Sequence, residues 1–186
     1  MSKRALLREH LTTAWQQTVN KQYLDQTINS ERGLQVHFCA ALIKIFENEA
    51  LKRRLFIEPN LRTATSESRF PDVVICNSKH VIGIVELKYV PRGRPDIAKD
   101  IATLEFAVLH GEKLTIANER FLGVHKDARA YPLASDAVLC WAGIYKGERV
   151  NIISRLSENV RPHFLQMNAL TLPDADPNVC IGPNKA

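Results

Sequence analysis

Two short stretches carry the residue types that could do chemistry. Asp72 follows Pro71 at the head of the run Val73-Val74-Ile75-Cys76, and Glu86-Leu87-Lys88 closes the run Val81-Ile82-Gly83-Ile84-Val85. Side chains two apart on a strand share a face, so Glu86 and Lys88 extend a row begun by Ile82 and Ile84. A carboxylate and an ammonium on an apolar row need partners or a metal, because burying them alone is costly. Asp72, Glu86 and the main-chain carbonyl of Leu87 form a set of hard oxygen ligands suited to Mg²⁺, with Mn²⁺ able to substitute. Such an ion can activate a bound water for attack on a phosphodiester. Lys88, a compact point charge, would position that water, help deprotonate it, or stabilise charge growing on the phosphate. The bland alternative is a salt-bridged pair on a solvated strand edge. Against it, Glu86 and Lys88 form the only Asp/Glu-x-Lys of the chain, and they sit on an apolar row.

The elements that must position these residues are legible around them. The two β-branched runs flank Asn77-Ser78-Lys79-His80, which predicts a hairpin with Asp72 opposite Val85 or Glu86. Upstream, Leu7, Leu11, Ala14 and Thr18 predict an amphipathic helix from Lys3 to about Val19. Residues 21–29 read as a connection. Ser30 caps a second helix to about Glu49, with Leu34, Phe38, Ala41, Leu42 and Ile45 as its buried stripe. Leu55-Phe56-Ile57 is a short strand, and residues 62–69 are a polar loop or edge strand. Downstream of the hairpin, Pro95 opens a helix to about Leu109, stopped by Gly111, with Ile97, Ile101, Leu104 and Val108 facing inward. Ala137 to Tyr145 and Val150 to Ile153 are read as strands, and a last helix is expected over about Leu156 to Met167. The result is one α/β domain over 1–172, with its core at about 30–153 and a loose tail at 173–186.

Pro71-Asp72, thirteen intervening residues and Glu86-Leu87-Lys88 resemble the bipartite signature of the PD-(D/E)xK nuclease superfamily. That resemblance implies the restriction-endonuclease-like αβββαβ core, a mixed sheet flanked by helices, here with extra N- and C-terminal helices. It implies Mg²⁺-dependent phosphodiester hydrolysis, most simply of DNA in restriction, repair or defence. Asp72 and Glu86 would be metal ligands, and Lys88 a catalytic base or electrostatic stabiliser. Many members add an acid from the helix before the meander, and Glu31 fits that place. Phe38 and Leu42 lie within about 20° of Glu31 around that helix, so it sits mid-stripe on the first turn. The alternative for Glu31 is a partly exposed acid interacting with the helix dipole. Gln35, one turn on, could line the same cleft or be a surface amide. Relatives also carry a Gln or Lys after the ExK strand, and Lys99 is the nearest candidate, though it lies opposite its helix's apolar stripe.

Arg92, Arg94 and Lys99 follow the ExK strand directly and could grip a phosphate backbone. Lys52-Arg53-Arg54 form a second basic cluster; solvated surface is the ordinary reading of both. The composition bounds the rest. The chain has 186 residues, 45% of them hydrophobic and 24% charged, with 25 Lys plus Arg against 20 Asp plus Glu, a formal charge of +5. One globular domain with a real core is expected, and a mildly basic one is compatible with a polyanion. Cys39, Cys76, Cys140 and Cys180 form no CxxC pair, and the histidines have no zinc spacing, so reduced structural thiols are expected. The longest apolar run, 137–145, is about half a membrane span, which predicts a soluble, cytoplasmic protein with no membrane partner. No phosphate-binding glycine loop or nucleophile elbow is present. The alternative function is a non-catalytic nucleic-acid-binding or regulatory module that keeps the fold. A homodimer is expected only if both strands of a duplex are cut.

Overall fold

The computed structural model describes residues 3–63, 67–111, 114–116, 120–122, 125–127 and 131–182. Helix α1 covers Lys3–Gln17 and widens into a π-helical turn over Thr18–Tyr23, where Thr18 Oγ1 donates to the carbonyl of Ala14 at 2.8 Å. Residues read as connection from Lys21 thus remain helical to Tyr23. Helix α2 covers Glu31–Asn48, and the Ser30 hydroxyl accepts from the Gly33 N–H at 3.0 Å as its N-cap. Ser30→Ala should therefore cost about 1 kcal/mol, read as a lowered urea midpoint with unchanged m-value.

The main sheet has six strands. In spatial order these are β1 (Arg54–Ile57), β4 (Val73–Cys76), β5 (Val81–Val90), β9 (Leu133–Lys146), β10 (Phe164–Leu172) and β11 (Ala175–Ile181). β1, β4 and β5 are antiparallel neighbours, whereas β5, β9 and β10 run parallel, so the sheet is mixed. Helix α3 (Ala98–His110) makes the crossover from β5 to β9. A small sheet of β2 (Leu61–Arg62), β3 (Ser68–Arg69) and β6 (Thr115–Ile116) covers part of the α3 side. β7 (Arg120–Leu122) and β8 (His125–Asp127) pair as a separate ribbon. Of the polar stretch 62–69, residues 64–66 lie outside the described residues.

Two apolar layers sandwich the main sheet. Leu7, Leu11, Trp15, Leu34, Phe38 and Leu42 from α1 and α2 pack on Val73, Ile75, Val85 and Leu87. Leu104, Phe106 and Ala107 from α3 pack with Leu61 and Ile116 on Val74, Ile84, Leu139 and Trp141. Cys39, Cys76 and Cys140 are buried free thiols, and burial pushes those of Cys39 and Cys76 up to about 12. No described helix is long and apolar enough to cross a membrane.

The C-terminal third departs from the sequence reading. No helix spans 156–167. Short 3₁₀ turns at Ile153–Arg155 and Arg161–His163 lead instead into β10, and Val150 lies outside any strand. Pro162 interrupts helical hydrogen bonding there, and the open edge of β9 supplies a ladder for the following residues. The sheet also buries a polar network. Tyr145 Oη donates to Asn168 Oδ1, and Gln166 Nε2 donates to both Asn168 Oδ1 and the Val150 carbonyl, all at 2.8 Å. The tail is likewise not loose through 181, because β11 pairs antiparallel with β10. Residues 183–186 lie outside the described residues.

Candidate active site

The hairpin register brings the two acidic positions together. Val73 faces Val85, so the next pair outward is Asp72 and Glu86. The row behind them differs from the alternation expected. The register shifts between Ile75 and Cys76 against β5, and between Val81 and Gly83 against β9. This irregularity turns Ile82 onto the α1 side, while Ile84 stays on the α3 side. The shared row is therefore Ile84, Glu86 and Lys88, without Ile82.

Asp72 is pinned at both ends. Its Oδ2 accepts from the Leu87 N–H at 2.5 Å, continuing the ladder by side chain. Its carbonyl accepts from Glu58 N at 3.0 Å and from Gln35 Nε2 at 2.8 Å. Gln35 is thus a buried anchor and not a surface amide. Glu58 reaches Asp72 from a left-handed backbone (φ 47°), a conformation non-glycine residues adopt sparingly. Burial pushes the Asp72 carboxyl up to about 6, opposed by the Leu87 N–H and reinforced by the negative charges of Glu31 and Asp100. Glu86 is more extreme. It is 4% exposed, and burial, followed by repulsion from Asp72 and Asp100, pushes it up to about 9. Thr103 hydrogen-bonds this carboxyl and Lys99 attracts it, both acting in the opposite sense. Its Oε1 is buried with no hydrogen-bond partner among the described residues. An orphaned carboxylate oxygen of this kind calls for a proton or a cation.

Lys88 projects between two acids from different helices. Nζ lies 3.4 Å from Asp100 Oδ1 and 3.7 Å from Glu31 Oε2. Burial alone would lower its pKa, but Asp100, Glu31 and Asp72 together raise it, so the ammonium form is held. Glu31 does more than face a helix dipole, because its Oε2 also accepts from the Tyr89 N–H at 3.1 Å. That contact ties the first turn of α2 to β5.

Asp100 is the residue the sequence reading missed. It is 2% exposed, and its Oδ2 accepts from Trp141 Nε1 at 2.9 Å while its Oδ1 faces Lys88. The indole reaches it because Trp141 pairs with Glu86 on β9 and lies across Gly143, where any Cβ would overlap the ring. A signal was present: Asp100 falls between Ile97 and Leu104 at helical spacing, an acid inside an apolar stripe. Asp100→Asn keeps an acceptor for Trp141 and removes the charge facing Lys88. If the site is that of a metal-dependent nuclease, cleavage should fall by about 10–100-fold with metal affinity little changed, as measured by kcat alongside a Mn²⁺ titration.

The basic candidates stand outside this cluster. Arg92 and Arg94 are exposed on the loop after β5, which Lys146 N to Gly93 O (3.0 Å) and Thr171 Oγ1 to Pro91 O (2.8 Å) pin to the sheet. Lys99 is exposed on the first turn of α3. Among the described residues, no set of three or more His, Cys, Asp and Glu side chains is gathered as a metal cage. The fit to a divalent ion rests on fewer groups: Asp72, Glu86 with its orphaned oxygen, and the Leu87 carbonyl. Hard oxygens of this kind, with water completing the shell, suit Mg²⁺. No family model, curated protein or solved structure matches the chain.

Proposed function

We propose that this chain is a PD-(D/E)xK-type nuclease that hydrolyses phosphodiester bonds in DNA with Mg²⁺ or Mn²⁺. The observation that carries the reading is the buried, unpartnered Oε1 of Glu86, paired across the hairpin with Asp72 and two residues from a clamped ammonium. The succession α2, β1, β4, β5, α3, β9 supports it, since an αβββαβ order is what the resemblance implies. Asp72, Glu86 and the Leu87 carbonyl would hold the ion, which supplies Lewis acidity and an activated water. Asp72 is oriented by Leu87, Gln35 and Glu58, and Glu86 is kept dry by the packing of α3 on the sheet. Lys88 is held protonated by Asp100 and Glu31, so its part is to stabilise charge on the phosphate and not to take a proton. Arg92, Arg94 and Lys99 would contact flanking phosphates.

Metal-dependent nicking of supercoiled plasmid tests this, with Asp72→Ala expected to abolish it. Arg92→Ala with Arg94→Ala should lower the salt slope of DNA binding by up to about 1.8 while leaving Mn²⁺ affinity unchanged. A second reading is favoured by the two ion pairs of Lys88, which would equally serve a non-catalytic DNA-binding module. DNA affinity without nicking in any divalent metal would select that module.

A further inference from the structure

A cavity of about 1070 Å³ opens at the end of the sheet away from the carboxylates. Ile82 in its wall precedes Glu86 by four strand positions, about 13 Å. Its floor is aliphatic, with Leu7, Ile82, Val108 and Leu139. Among the described residues its charge is one-sided: Arg4, Lys52 and Arg53 line it with His80 and His163, against one acid, Asp136. Two members of the basic cluster 52–54 thus come to one cavity, while Arg54 turns away to donate to Tyr131 Oη at 2.8 Å.

These cations lack carboxylate partners within ion-pair distance among the described residues. Arg4 donates to the main-chain carbonyls of Asp136 at 3.1 Å and of Pro162 and Ser135 at 3.5 Å, and faces His163 Nδ1 at 3.2 Å. Arg53 Nη1 donates to His10 Nδ1 at 2.7 Å, and its guanidinium lies 4.9 Å from the centre of the Phe46 ring. Glu49 holds the other nitrogen of His10 at 2.9 Å, which leaves Nδ1 as the acceptor and fixes Arg53 in place. Lys52 is exposed and makes no ion pair among the described residues. Burial lowers the Arg53 guanidinium from its usual range, and Glu49 beyond His10 offsets part of that. At the edge, Asn77 Oδ1 accepts from the N–H groups of Lys79 and His80 at 2.8 and 2.7 Å, so the Asn77 amide keeps its N–H₂ as a donor on a residue that lines the cavity.

We propose that this cavity binds a nucleoside monophosphate, its phosphate against Lys52, Arg53 and Arg4 and its base and sugar over the aliphatic floor. The volume, just above the roughly 300–1,000 Å³ common for small-molecule sites, exceeds what a bare phosphate fills and leaves room for a nucleotide. A rigid guanidinium suits a phosphate monoester, and the free amide of Asn77 suits a base edge. The same chemistry is offered by a free nucleotide and by the 5′-phosphorylated end of a strand. No residue of the carboxylate site takes part, so this site stands independently of the nuclease reading.

The test is calorimetry on the whole chain in EDTA, with adenosine 5′-monophosphate, adenosine and inorganic phosphate as probes. The monophosphate should bind at one site, with adenosine and phosphate each weaker by about tenfold or more. Lys52→Glu should weaken it by about tenfold or more with an unchanged melting temperature, and Lys52→Arg should retain it. Displacement by a 5′-phosphorylated tetranucleotide, but not by its 5′-hydroxyl form, supports the site as a strand-end pocket. Displacement by neither supports a free-nucleotide site. Equal displacement by both, monophosphate binding no tighter than phosphate, or wild-type affinity in Lys52→Glu would overturn the proposal.

Discussion

On the proposed nuclease reading, Lys88→Ala is expected to slow metal-dependent DNA cleavage by about 10²-fold or more while the protein still takes up the cation. The ammonium sits between Asp100 and Glu31, and burial by itself is outweighed there by the surrounding negative charge. A group held protonated contributes through its charge, so its loss should appear in kcat and not in metal affinity. Mn²⁺ affinity should hold or improve slightly, because a positive charge near the ion has gone. The same substitution leaves Asp100 buried without its cation, which should destabilise the fold by about 3 kcal/mol. Lys88→Arg separates the two effects, since it restores the charge and the fold but not the compact geometry. Cleavage rates at saturating Mg²⁺, a Mn²⁺ titration and a urea melt on each variant decide it. Wild-type cleavage by a folded Lys88→Ala protein would make the Glu86–Lys88 pair a structural feature only.

Glu86→Gln should do the opposite to stability while ending the proposed cleavage. The carboxyl titrates near 9 in the folded protein, against an ordinary value of 4.5. A raised folded-state pKa means that Glu86 favours folding fully below about 4.5, and that this stability is lost as pH rises towards about 9. Across that window the metal-free protein should lose about 1.4 kcal/mol per pH unit from this group alone. Glu86→Gln removes the slope, so at pH 7.5 in EDTA the variant should be more stable by roughly 3–4 kcal/mol, and at pH 4.5 nearly equal to the wild type. Urea midpoints at the two pH values measure this, and parallel pH dependence in both proteins would show that Glu86 is not the buried acid described. On the proposed reading, cleavage and Mn²⁺ binding should be lost together, because the substitution removes a candidate ligand. Wild-type cleavage by Glu86→Gln would take Glu86 out of the metal site.

The local parts of this site could be read from the chain because they follow short-range rules. Ser30 announced its helix through a cap that reaches three residues, and the two β-branched runs announced their hairpin. Residue type placed Glu86 and Lys88 two apart on one strand. The C-terminal segment misled for a complementary reason. Phe164 to Leu172 contains good helix formers, and only the open edge of β9 makes a strand of it.

The sequence by itself determined the hairpin, the capped helix before it, and the adjacency of an acid, a second acid and a lysine, since each depends on residues close in the chain. Only the tertiary structure decided the environment of those residues. The irregularity at 81–83 removes Ile82 from their row. Gly143 on β9 makes room for Trp141, which fixes Asp100 against Lys88 from α3. Glu31 closes the other side from α2. Burial, the largest influence on Asp72 and Glu86, is a property of the packed layers, and no local pattern of residues encodes it. The cavity lined by Arg4, Lys52 and Arg53 arises in the same way, from strands and helix ends that meet only when the sheet is assembled.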